Sequence, residues 1–230
     1  MLTFPAASIG IPAYSANSPK NRGKNPSLVR PKLQTLVSIS AMADPDHHQR
    51  DEEEVYSVWA IPPDDLRTKL KTLMATLRSE FGGPEFDPHV TVVGALRLLP
   101  DDALHYLHSA ASSLGSYSAR VSSVSRGSFF YQCVYLLLDP TPEVLNASGH
   151  CCAHFGYSNS SAYMPHLSLL YGDLTEEEKE KARVRAEELA EGIVGTTFEI
   201  SKIGLFNTDT QDKSLKSWEE IAVCELLKDK

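Results

Sequence analysis

Pro88-His89-Val90-Thr91-Val92 and Pro165-His166-Leu167-Ser168-Leu169 share one pattern: proline, histidine, apolar, hydroxyl, apolar. On a β-strand alternate side chains share a face. His89 and Thr91 then point one way and Val90 and Val92 the other; His166 and Ser168 separate from Leu167 and Leu169 in the same manner. Proline suits the first position of a strand, where no ladder donor is needed. Each segment is therefore expected to bury an apolar face and to present an imidazole and a hydroxyl on the opposite one. Two such strands facing each other would line a cleft with two imidazoles and two hydroxyls.

Outward from the first motif, Val55–Ile61 reads as a strand stopped by Pro62-Pro63. Leu66, Leu70, Leu73, Met74, Leu77 and Phe81 then recur at helical spacing until Gly82-Gly83. After the motif strand, 88–93, a helix is expected from Pro100, then strands over 117–125 and 129–138. The second half repeats the scheme loosely. A helix is expected over 142–155, the motif strand over 164–170, and a helix from Thr175, where Thr175 and Glu178 have capping-box spacing. Two final strands are expected over 198–206 and 218–226. Strands and helices in this mixed order imply an α+β fold with antiparallel sheets and flanking helices.

Composition narrows the partners. The 230 residues carry a net charge of −8, yet residues 1–43 hold five basic residues and no Asp or Glu. The body is therefore more acidic than the whole chain and repels long nucleic acid. No apolar run reaches the roughly 18 residues of a membrane span, so no membrane partner is expected. Neither GxGxxG nor GKS/T occurs, which argues against dinucleotide and triphosphate machinery. The four cysteines form no CxxC pair and read as buried or free thiols of a reducing compartment. Asn146-Ala147-Ser148 is a sequon with no secretory signal ahead of it. Residues 1–50, rich in Ser and Pro, read as a transit peptide or a disordered leader ahead of a domain at 51–230; a third reading starts synthesis at Met42.

Two imidazoles and two hydroxyls are the set that in-line hydrolysis of a cyclic phosphodiester requires. One ring takes a proton from the attacking water, the other gives one to the departing sugar oxygen, and the hydroxyls hold the non-bridging oxygens. Histidine fits because its ordinary pKa lets both forms exist near neutrality. Chance alone gives about one His-x-Ser/Thr among eight histidines; two occur here, in one shared five-residue context. Trp59, in the middle of the first strand, could stack on a base or ribose. Phe129, Phe130 and Tyr131 are expected in the core with one face near the site. His105 and His108, and likewise His150 and His154, have helical spacing but no Cys or acidic partner to complete a metal site. They read as surface residues, so no metal and no cofactor is expected.

The motifs resemble the paired His-x-Ser/Thr motifs of the 2H phosphoesterase superfamily, and within it the plant cyclic phosphodiesterases. The resemblance spans about residues 54–228. It includes VYSVWAIP at 55–62, LRSEFGGP at 77–84, PHVTV at 88–92, FFYQCVYLLL at 129–138, YMPHLSLLY at 163–171 and LTEEEK at 174–179. It implies a bilobal fold with pseudo-two-fold symmetry and the motifs facing each other across a cleft. It implies opening of ADP-ribose 1″,2″-cyclic phosphate to ADP-ribose 1″-phosphate, downstream of tRNA splicing, and of nucleoside 2′,3′-cyclic phosphates to 2′-phosphates. By position His89 and His166 match its catalytic pair, Thr91 and Ser168 its phosphate-binding hydroxyls, and Tyr171 a substrate-contacting tyrosine. A monomer acting on a small cyclic phosphate in the cytoplasm is the expectation, or in a plastid if residues 1–43 act as a transit peptide. The alternatives are a non-catalytic nucleotide-binding module and an RNA 2′-5′ phosphodiesterase or ligase-like enzyme.

Overall fold

The structure is a computed structural model that describes residues 52–158 and 162–228. The expected leader, with His47 and His48, lies outside the described residues. The elements run in chain order β1 (Glu54–Ala60), α1 (Asp64–Phe81), β2 (Val90–Leu98), α2 (Pro100–Ala111), β3 (Tyr117–Arg126), β4 (Val134–Leu138), α3 (Pro142–His154), β5 (His166–Leu170), α4 (Glu176–Leu189), β6 (Thr197–Ile200), β7 (Lys202–Asn207) and β8 (Glu219–Glu225).

Local chemistry sets these limits. α1 buries Leu66, Leu70, Leu73, Met74 and Leu77, the apolar stripe, and stops at Gly82. α4 opens with the expected capping box: Glu178 N–H donates to Thr175 Oγ1 while Thr175 N–H donates to the Glu178 carboxylate. The strand expected over 129–138 begins only at Val134. Before it the chain makes a 3-10 turn at Phe130–Gln132, closed by Gln132 N–H on Phe129 O. Gly127 is needed there, because a Cβ would collide with the Gln132 carbonyl. The strand expected over 198–206 is split at Ser201, because β6 pairs with β3 and β7 with β1.

The eight strands join in one antiparallel sheet, β6-β3-β4-β5-β2-β1-β7-β8, rather than the two sheets expected. The two motif strands, β5 and β2, are neighbours at its centre and meet through one partner pair, Val90 and Leu167. They do not face each other across a gap; they share a seam. On either side of it the order is alike. The motif strand comes first, then the strand one helix earlier in sequence, then two more. The sheet curls so that Ser116 N–H reaches Leu227 O at 2.8 Å, bringing the end of β8 to the start of β3. α1 packs with α4 and over β5; α2 packs with α3. Val58, Val90, Val92, Leu136, Leu167 and Leu205 lie in the hydrophobic core beneath the seam.

Candidate active site

The ladder pairs fix which side chains share a surface. Trp59 is paired with Thr91, Ser57 with Phe206, Tyr135 with Ser168 and Leu137 with His166. Val90 and Leu167 are partners and point into the core. Extending that register one residue each way sets His89 opposite Ser168 and Thr91 opposite His166. Paired residues point to the same side. His89, Thr91, His166 and Ser168 therefore stand together on the face away from the core, each imidazole across from the other motif's hydroxyl. The two histidines are diagonal neighbours, a relation that in a regular antiparallel pair sets Cα atoms roughly 7–8 Å apart.

Both rings are anchored alike. His89 Nδ1 is 2.6 Å from the carbonyl of Asp87, and His166 Nδ1 is 2.9 Å from the carbonyl of Met164. A carbonyl can only accept, so each Nδ1 carries a hydrogen and donates it. That leaves each Nε2 as the nitrogen free for chemistry: an acceptor when the ring is neutral, a donor when it is protonated.

The surroundings differ. His89 is 4 % exposed and lies flat against Trp59, with ring centroids 3.6 Å apart and 8° between planes. The other face of Trp59 stacks on Phe206 at 3.8 Å. Burial pushes the His89 pKa down to about 4, the nearby His166 charge pushing the same way, against the Asp87 carbonyl and carboxylate. His166 is half-buried and meets Tyr135 edge-on at 5.2 Å. Burial lowers its pKa too, against the Met164 carbonyl. Trp59, expected to offer a face to substrate, stacks on His89 and on Phe206.

Ser168 is buried, its Oγ 3.4 Å from the Tyr131 carbonyl, and Thr91 is half-buried. Tyr171 lies beside Ser168, stacked on Phe86 at 3.9 Å. Burial raises its pKa well above the phenol's ordinary value, so it acts as a neutral hydroxyl. Gly83 permits this approach: φ is +100° and a Cβ would strike the Tyr171 carbonyl. Tyr131 stacks on Trp218 at 5.8 Å and meets Tyr171 edge-on at 5.4 Å. Phe86, Asp87 and Trp218 escaped the sequence reading. Asp87 immediately precedes the first motif proline, and that was the only signal available.

His105 and His108 are exposed on α2, whereas His150 and His154 bridge two helices. His150 Nε2 lies 3.0 Å from Ala110 O, and His154 Nδ1 lies 3.1 Å from Ser109 Oγ, which ties α3 to α2. Among the described residues no group of three His, Cys, Asp or Glu is placed to hold a metal, and no helix is long and apolar enough to cross a membrane. Cys133, Cys151 and Cys224 are free thiols.

One curled antiparallel sheet with a His-x-Thr and a His-x-Ser strand side by side at its centre is the architecture of a 2H phosphoesterase. The likeness extends to solved structures. The crystal structure of E. coli LigT complexed with phosphate shares the fold at TM-score 0.51 and 10% identity, over 77% of this chain and 99% of that one. A crystal structure described as a phosphoesterase matches at TM-score 0.53 and 9% identity over the same shares. Residues 55–228 match the family model "Cyclic phosphodiesterase-like protein", and the chain belongs to that family. It is 49% identical to the cyclic phosphodiesterase of Arabidopsis thaliana, over 76% of this chain and 96% of that one. It is 25% identical to a 2′,3′-cyclic-nucleotide 3′-phosphodiesterase of Yarrowia lipolytica, over 66% of this chain and 88% of the relative.

Proposed function

We propose that the protein hydrolyses small cyclic phosphodiesters without a metal, using His89 and His166 as a proton-transfer pair. ADP-ribose 1″,2″-cyclic phosphate would give ADP-ribose 1″-phosphate, and nucleoside 2′,3′-cyclic phosphates would give 2′-phosphates. The carrying observation is that both Nδ1–H groups are tied to carbonyls two residues earlier, leaving two free Nε2 atoms beside two hydroxyls. Mere binding of a nucleotide does not need two titrating rings so prepared. The names of the Arabidopsis and Yarrowia relatives point to the same reaction.

The two surroundings suggest the division of labour. His89, the more buried ring, is held neutral and accepts the water proton at Nε2 as oxygen attacks phosphorus. Protonated His166 gives its Nε2 proton to the departing O3′ of a 2′,3′-cyclic substrate. Thr91 and Ser168 would donate to the non-bridging oxygens, and Tyr171 would contact the substrate beyond them. One water is added, one P–O bond breaks, and solvent exchange returns the proton from His89 to His166. An acidic surface leaves long RNA a poor substrate. Nothing in this scheme needs a second copy of the chain. Turnover of a 2′,3′-cyclic nucleotide, with product followed by phosphorus NMR, tests the reading: a 2′-phosphate supports it, and no turnover or a 3′-phosphate contradicts it. The compartment is a separate proposal, cytoplasm unless residues 1–43 direct import into a plastid; a fluorescent fusion to residues 1–45 decides between them.

A further inference from the structure

The carbonyl that holds His89 belongs to a residue whose side chain is itself gripped. The Asp87 carboxylate lies 3.3 Å from Arg67 Nη2 and 2.6 Å from Lys71 Nζ. Those two cations sit one helical turn apart on α1, so they lie on one face of the helix. Arg67 is only 26 % exposed at its side chain, and its Nε is buried with no hydrogen-bond partner. Its guanidinium is thus committed to this spot, with Asp64 3.6 Å away on the other side. The other half-site has no such device at the equivalent place. The carbonyl that holds His166 comes from Met164, whose side chain is exposed and uncharged.

We propose that Asp87 is a positioning residue. Clamped to α1 by Arg67 and Lys71, it fixes the carbonyl that receives His89 Nδ1–H, and so fixes that ring's tautomer and the direction of Nε2. This rests on the two-histidine reading of the site. Outer partners of this kind decide which imidazole nitrogen carries the hydrogen, and at metal sites their loss costs 10–100-fold. The charged and titratable groups around His89 are Asp87 on its own segment, His166 on β5 and, through Asp87, Arg67 and Lys71 on α1; β1 offers it only the Trp59 ring. The Asp87 carboxylate favours protonated His89. Removing its charge also takes a counter-charge from both α1 cations, Arg67 keeping only Asp64, and both changes push the ring toward its neutral form.

The test compares wild type, Asp87→Asn, Asp87→Glu and His89→Ala on a nucleoside 2′,3′-cyclic phosphate, with nitrogen-15 NMR of the histidine rings. Asp87→Asn should lower kcat by roughly tenfold with KM within twofold. It should move the acid limb of the pH profile to lower pH and turn the single Nδ1–H tautomer of His89 into a mixture. Asp87→Glu, which keeps the charge, should recover most of the rate and the limb. If Asp87→Asn leaves rate, limb and tautomer unchanged while His89→Ala is inactive, this inference alone is overturned. A lower kcat with limb and tautomer unmoved marks a merely structural effect and overturns it as well. If His89→Ala retains its rate, the two-histidine reading fails and carries the inference with it.

Discussion

The indole of Trp59 lies flat on the imidazole of His89, with ring centroids 3.6 Å apart and 8° between the planes. Phe206, on the far side of the indole, backs it. A stack of this kind contributes about 1 kcal/mol beyond the area it buries. Its larger effect is on direction, because a ring pinned on its face and tethered at Nδ1 has little freedom to turn. Trp59→Leu should therefore lower kcat, by roughly tenfold if Nε2 loses its aim, and change KM little. Trp59→Phe should retain more of the rate. Steady-state kinetics separate this from substrate stacking, for which KM would rise with kcat unchanged.

Acid should destabilise the protein through His89. The folded pKa is about 4 against 6.5 for an unperturbed histidine. Above pH 6.5 the ring is neutral in both states and nothing is lost. As pH falls from 6.5 toward 4 the unfolded chain takes up the proton and the folded chain does not, so stability drops. The full effect is about 3 kcal/mol, reached near pH 4. Wild type should lose about that much more stability than His89→Gln over this range in urea titrations. Parallel pH dependences would contradict the burial of a neutral ring.

Much of this was legible in the sequence because the periodicities were clean. The stripe Leu66–Leu70–Leu73–Met74–Leu77 is the buried face of α1, and Thr175 and Glu178 do cap α4. The four motif side chains do come together. What failed was long-range. Nothing local says that β5 and β2 are neighbours in one sheet, or that the chain must leave β6 at Ser201 to reach β1 with β7. Nor could spacing show that Trp59 would be covered on both faces, since that depends on Phe206 arriving from a strand near the end of the chain. The turn at Phe130–Gln132 was hidden by a run of residues with strong strand preference.

Gly83 ties the fold to the site. With φ at +100° and no room for a Cβ beside the Tyr171 carbonyl, Gly83→Ala should cost about 1–3 kcal/mol. It should also reduce activity in the folded fraction by shifting Phe86 from Tyr171. Gly149→Ala, inside α3 with open space around it, is the control and should be neutral or stabilising. Equal effects of the two substitutions in thermal unfolding would refute the role given to Gly83.

The proposed chemistry uses protons alone, so prolonged EDTA treatment should leave turnover unchanged. Activity lost on chelation and restored by added zinc would contradict the metal-free mechanism.

The pH profile of kcat/KM on a nucleoside 2′,3′-cyclic phosphate tests the central claim most directly. A neutral His89 paired with a protonated His166 predicts a bell, rising with a group near pH 4 and falling with a group below 6.5. Both limbs belong to the coupled pair. His89→Ala should lower kcat by roughly 10²–10⁴ and abolish the rising limb. A profile with a single limb in wild type, or a bell that survives His89→Ala at near-normal rate, would show that these two histidines do not share the proton transfers.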